Sequence, residues 1–286
     1  MSGNKDIFYS IHKLYDTFTK SEKKVADFIM QTPEKVLYTS ITDLAEMCGV
    51  GDTTVFRFCK TLKLNGYQDL KMTLAQAVAG KEGKADAIVG EINANDDVAA
   101  IAKKALATSI SALEETCGLI DSAAIKTASD LIASAKQIHF FGMGSSGVTA
   151  MEAKQKFMRI LPNVNYVADS HMQLMAASLM DSSDVAVVFS YSGSTKDIIE
   201  LLKIIKRNGS KIICITKFAK SQIAGLSDVV LLCGSNEGPL QGGALSTTFA
   251  QLYLLDVLYL KYFVDHFEKS KENKAKTTEA ISTKLL

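Results

Sequence analysis

The run Val185-Ala-Val-Val-Phe-Ser-Tyr-Ser-Gly-Ser-Thr-Lys-Asp197 joins five consecutive apolar residues to a loop carrying four serine and threonine hydroxyls, then enters a helical pattern that lasts to Arg207. An unbroken apolar run of this length, without alternation, is what a strand covered on both faces requires. Four further runs share the character: Ile138–Phe141, Val164–Val167, Ile212–Ile215 and Val229–Leu232, each separated from the next by a helical stretch. Strands alternating with helices predict an α/β domain built on a five-stranded parallel sheet. The loop itself, Ser190 to Thr195, sits where a strand hands over to a helix. Unpaired amides and the helix dipole at such a point favour an anion, and the hydroxyls add donors, so the loop reads as a phosphate cradle. Caps and turns use the same residue types for purely structural ends.

A second loop of the same kind follows the first strand, Gly142-Met-Gly-Ser-Ser-Gly147. Its spacing is formally the dinucleotide fingerprint, and Asp169 follows after the second strand, which leaves a nicotinamide-binding domain open. A dinucleotide fold does not call for the loop at 190–195, however. Two hydroxyl-rich loops at the carboxyl ends of parallel strands fit a compact phosphate-bearing ligand in the crevice of the sheet. Asn236-Glu237-Gly238-Pro239, after the last strand, offers Glu237 as an acceptor for ligand hydroxyls, and His171, with Gln173 nearby, follows the second strand. Both also read as an ordinary turn and a packed residue. The spacing suggests no metal site and no catalytic triad, so no cofactor, metal or catalytic residue is expected.

Upstream, two long alanine-rich helices are expected over 97–120 and 122–135, preceded by a small, polar and charged stretch at 80–95 that suits an interdomain linker. The first 79 residues read as all-helical. Thr19-Lys-Ser-Glu22 and Ser40-Ile-Thr-Asp43 have capping-box spacing, and Thr32-Pro33 places proline where a helix can start. Two short helices, Ile41–Cys48 and Asp52–Leu62, flank Gly49-Val-Gly51 in the manner of a DNA-reading helix-turn-helix. On the second helix Val55, Phe58, Cys59 and Leu62 share the inward face. Thr53, Arg57, Lys60 and Thr61 gather opposite, with Thr54 flanking. Arg57 is the only arginine before Arg159, and a guanidinium can bond guanine bidentately. A solvated outer face would look similar, and Asp52 at the helix start would oppose a phosphate unless it serves as a cap.

Net charge is +1 over 286 residues, and the first 78 hold 10 basic against 9 acidic side chains. DNA binding therefore has to rest on local arrangement and not on overall charge. The length suits two domains: 1–79, the linker 80–95, an α/β domain over 96–268 and a flexible lysine-rich tail over 269–286. Five cysteines without paired spacing, and no apolar stretch long enough to span a bilayer, predict a cytoplasmic protein with no membrane partner.

Thr19-Lys-Ser-Glu-Lys-Lys-Val-Ala26, Ser40-Ile-Thr-Asp-Leu-Ala45 and Thr54-Val-Phe-Arg-Phe-Cys-Lys-Thr-Leu62 resemble the helix-turn-helix of the MurR/RpiR regulators. The two hydroxyl loops resemble the SIS (sugar isomerase) domain that follows it in that family. The resemblance implies a flavodoxin-like SIS fold, a duplex DNA operator, a phosphorylated sugar effector, a homodimer or homotetramer, and control of carbohydrate metabolism. It also implies that Ser145, Ser146, Ser190, Ser192, Ser194 and Thr195 hold the phosphate and sugar. Two departures stand out: Gly51 replaces the serine that usually opens the recognition helix, and Ser246-Thr247-Thr248 lacks the arginine the family often has there. Two rival readings survive, an NAD(H)-sensing redox repressor and a sugar-phosphate isomerase with an auxiliary helical domain. The isomerase would have to draw its base from Glu237 or His171.

Overall fold

The computed structural model describes residues 7–81, 87–89, 92–235, 237–238 and 244–282. The chain forms two compact units: Met1–Thr108 with Asn236–Ala244, and Ser109–Ser235 with Leu245–Leu286.

The first unit begins with six helices: α1 Ile7–Leu14, α2 Lys20–Gln31, α3 Pro33–Leu37, α4 Ile41–Cys48, α5 Asp52–Thr61 and α6 Tyr67–Lys81. Their starts follow the capping signals. Thr19 and Glu22 close a reciprocal capping box on α2, Pro33 opens α3, and the Ser40 hydroxyl accepts from the Asp43 amide at 3.0 Å. The α4 helix stops because Gly49 turns left-handed at φ 62°, a conformation that glycine adopts without steric penalty. Inside, Ile11, Val25, Ile29, Leu44, Val55, Phe58, Leu70 and Leu74 are fully buried. Strands β1 (Ala87–Val89) and β2 (Ile92–Asn93) pair antiparallel, so the stretch expected as a linker at 80–95 holds the end of α6 and a short ribbon among its described residues. Surrounding charge masks the alternation that three or four residues can show. Helix α7, Val98–Gly118, follows, and the division between units falls within it, between Thr108 and Ser109.

The second unit continues with α8 Ser122–Ser134, β3 Ile138–Gly142, α9 Ser145–Phe157, β4 Val164–Tyr166, α10 Ser170–Leu179, β5 Val185–Phe189, α11 Lys196–Arg207, β6 Lys211–Thr216, α12 Gln222–Leu226, β7 Val229–Leu232, α13 Leu245–Asp265 and α14 Phe267–Ser282. The five strands β3 to β7 form one parallel sheet in the order β4-β3-β5-β6-β7, the flavodoxin-like arrangement. Side chains alternate across it. Val185, Val187 and Phe189 of β5 join a core with α8, α9 and α13, whereas Ala186 and Val188 join a separate core with α10, α11 and α12. Burial on both faces explains the unbroken apolar run at 185–189.

The expected flexible tail at 269–286 is corrected as far as Ser282, since α14 is a helix anchored on the turn after α9. Asn273 donates to the Ile160 carbonyl at 2.8 Å, Thr277 to the Arg159 carbonyl at 3.0 Å, and the Arg159 guanidinium to Thr278 at 2.8 Å. Polar anchoring of this kind leaves no apolar period in the sequence, which is why composition alone suggested fraying.

Candidate functional site

The strand order reverses between β3 and β5, and ligands of open α/β sheets sit at such a switch point, outside the carboxyl ends of the strands. Here those ends carry the two hydroxyl loops. A cavity of about 200 Å³ opens between them, lined by Met143, Ser145, Ser146, Phe189, Ser190, Tyr191, Ser192, Thr195 and Ile198. Glycines make the close approach. A β-carbon on Gly142 would lie 2.4 Å from the Ser146 carbonyl oxygen, and one on Gly193 (φ 60°) would lie 2.1 Å from the Ser221 hydroxyl. The loop at 190–195 is pinned to its surroundings: Ser190 donates its amide to the Ile215 carbonyl, Lys217 to that of Tyr191 and Ile223 to that of Gly193.

The hydroxyls differ in how they are used. Ser190 Oγ is buried and has no hydrogen-bond partner among the described residues. Thr195 stands at the N-cap of α11 without a side-chain capping bond, and Ser146 Oγ accepts from Gln251 at 3.3 Å. Ser192 Oγ accepts from the Ser194 amide at 3.4 Å, and Ser194 itself is not among the lining residues. Two other expected contacts are not brought to the cavity lining. His171 lies in the first turn of α10, and Glu237 lies on the segment that groups with the first unit. Asp169, the candidate ribose partner of a dinucleotide, uses its carboxylate to cap α10 by accepting from the Met172 amide at 2.9 Å. Burial pushes the thiols of Cys59 and Cys233 up to about 12, so neither supplies a thiolate nucleophile at neutral pH.

On the helical unit, α5 presents Thr53, Arg57 and Lys60 to solvent. Thr54, expected to flank this face, is instead buried, because it lies one step toward Val55 and Phe58 on the helical wheel. Thr61 is half-buried and donates to Glu22 at 3.1 Å, and Lys60 donates to the Asn65 carbonyl at 2.7 Å. Glu22 is the anchor of this corner. Burial pushes its carboxyl up, but bonds from Thr19 and Thr61 and the charge of Arg57 outweigh that and hold it below its ordinary value. Asp52 is occupied too, accepting from Thr42 at 2.8 Å and so tying α4 to α5. Sequence reasoning missed Phe56, an exposed aromatic beside Arg57 with the Lys60 ammonium 5.2 Å from its ring centroid. An aromatic residue on the outer arc of the helical wheel was the available signal.

Residues 5–81 match the family model of the helix-turn-helix domain of the rpiR family, and residues 131–261 match that of the SIS domain. Over 281 residues the chain is 36% identical to an HTH-type transcriptional regulator of Haemophilus influenzae, covering 98% of this chain and 97% of that one. It is 34% identical over 254 residues to the HTH-type transcriptional regulator HexR of Pseudomonas aeruginosa, covering 89% and 88%. Among solved structures, the NanR protein of Vibrio vulnificus, complexed with ManNAc-6P, shares the fold with a TM-score of 0.86 at 24% identity, over 98% of this chain and all of that one. The chain therefore belongs to the RpiR (MurR/RpiR) family of helix-turn-helix transcriptional regulators that carry a C-terminal SIS domain.

Proposed function

We propose that this regulator reads duplex DNA with α5 and that the cavity between its two serine loops takes a phosphorylated sugar as effector, in the control of carbohydrate metabolism. One observation carries the ligand reading: Ser190 lines the cavity, and its buried hydroxyl has no hydrogen-bond partner among the described residues. Buried polar groups are nearly always satisfied, so an orphan hydroxyl at a switch point supports a ligand there. At about 200 Å³ the cavity is smaller than the roughly 300–1,000 Å³ of drug-sized sites, which suits a compact anion better than a dinucleotide. The ManNAc-6P bound by NanR supports a sugar phosphate as the class. On this reading the protein is a cytoplasmic regulator and not an enzyme, a view supported by relatives named as transcriptional regulators. Homodimers or homotetramers would cover the exposed Val148 and Met151 of α9 and Met172, Met175 and Leu179 of α10.

A thermal-shift panel of sugar phosphates and pyridine nucleotides tests the class. Stabilisation by one sugar phosphate is expected, approaching about 2.7 kcal/mol at a hundredfold excess over Kd. A shift with NADH alone would replace this reading with a redox repressor. Ser190→Ala is expected to weaken that sugar phosphate by about 1.5–3 kcal/mol, the worth of a hydrogen bond to a charged group. The melting temperature without ligand should not fall, because the hydroxyl has no protein partner to lose. Calorimetric affinity equal to wild type would take the ligand out of this cavity. Arg57→Ala is expected to lower specific DNA affinity by about 1–3 kcal/mol at fixed salt, measured by anisotropy. Equal loss on operator and random duplex would reassign Arg57 from a base to the phosphate backbone.

A further inference from the structure

Helix α13 carries no lining residue of the cavity, yet it is hydrogen-bonded to one. Gln251, in its second turn, is fully buried against α9. Thr149 Oγ1 donates to Gln251 Oε1 at 3.0 Å, and Gln251 Nε2 donates to Ser146 Oγ at 3.3 Å. All three side chains are at least nine-tenths buried. The direction of the bonds matters. An α-helical threonine often gives its proton to the carbonyl one turn below, as Thr116 does to Ala112 at 2.6 Å. Thr149 directs its proton sideways to the glutamine carbonyl instead, which leaves the amide NH₂ facing Ser146. A hydroxyl that accepts one bond from an amide keeps its own proton, along with a second lone pair, to offer elsewhere. Ser146 lines the cavity, and with the amide NH₂ behind it no proton is spent on Gln251, so its O–H stays available to a ligand.

We infer that Gln251, held by Thr149, is a positioning residue that keeps the Ser146 proton free for an anionic ligand group at the start of α9; this rests on the phosphosugar reading above. The arrangement has mechanical support. Below Gln251 the same two helices are stapled by the Lys156–Asp256 ion pair and by the Phe157 and Tyr259 rings, 5.4 Å apart and edge-on, so α9 and α13 meet in a fixed register. A water bonded to Ser146 could draw off its proton; the amide NH₂ only donates and cannot. Neutral sugar hydroxyls can meet Ser146 as donor or acceptor, whereas ionised phosphate oxygens only accept and so gain most from a free serine proton.

The test is a double-mutant cycle on the full chain, with inorganic phosphate as the first probe and the best sugar phosphate from the panel as the second. Ser146→Ala is expected to weaken both by roughly tenfold or more, the loss of a bond to a charged acceptor. Gln251→Met keeps length and burial but removes the polarity, and is expected to weaken both severalfold. The double variant is expected to match Ser146→Ala within about twofold, because Gln251 acts only through Ser146. A spectroscopic readout separates positioning from packing. In selectively ¹⁵N-glutamine-labelled wild type, the side-chain amide resonance lost in Gln251→Met should move on saturation with phosphate, and should stay still in Ser146→Ala. Additive losses, or an amide that moves without Ser146, would overturn the assignment and leave phosphosugar binding intact. A wild type that binds neither probe would overturn both. Should Gln251→Met fold poorly, Thr149→Val, which frees the amide without touching Ser146, is expected to give the same non-additivity with Ser146→Ala.

Discussion

Gly142→Ala is expected to abolish most sugar-phosphate binding and to destabilise the SIS unit. The added β-carbon would lie 2.4 Å from the Ser146 carbonyl oxygen, 2.7 Å from its carbon and 3.0 Å from the Gly147 nitrogen. All three are backbone atoms of the first turn of α9, so no side-chain rotation relieves the clash and the turn itself must move away from β3. Overpacking of this kind costs about 1–3 kcal/mol. The functional loss should be larger in proportion, because Ser145 and Ser146 ride on the displaced turn and a misplacement of about 1 Å can forfeit a hydrogen bond. Thermal melting and calorimetric titration of the variant check both parts. Wild-type affinity in a destabilised variant would mean that the ligand does not use the start of α9.

Phe58→Ala is expected to be the most damaging single change to the DNA reader. Phe58 is fully buried on the inner face of α5, its ring 5.1 Å from that of Phe18, among Val25, Leu44 and Leu70. Truncating a buried phenylalanine costs about 3–5 kcal/mol. Whole domains are stable by only about 5–15 kcal/mol, so the helical unit would stand near its limit. DNA binding should fall with it while sugar-phosphate binding by the other unit persists. Separate titrations of the two ligands report this. A variant that held its operator affinity would show that Phe58 does not set the position of α5.

Much of this was legible in the chain because the signals are local. The capping boxes at Thr19 and Ser40, the glycine stop at Gly49 and the five apolar runs each act within a few residues, and each element formed where its signal stood. The two hydroxyl loops were legible for the same reason, and the strand order then brought them together. Three things were not legible. Thr54 is close to the boundary of its helical wheel, where a small angular error changes burial into exposure. The α14 helix is held by side chains reaching carbonyls more than 100 residues away, at Arg159 and Ile160. Gln251 reads as one polar residue in an apolar helix until its partner Thr149, 102 positions earlier, is placed beside it. Long-range polar pairing leaves no period to read.

The reversal in strand order has a further consequence. The loop after β3 leads into α9, which packs on one face of the sheet with α8 and α13; the loop after β5 leads into α11, which packs on the opposite face with α10 and α12. A molecule gripping both loops is thus a rivet through a three-layered plate, with a head on each side. Drawing the loops together by a fraction of an ångström would tilt two helices of opposite layers against each other. Each layer's outer surface would register the event, so under the proposed function a small anion would alter the contour of both flanks at once.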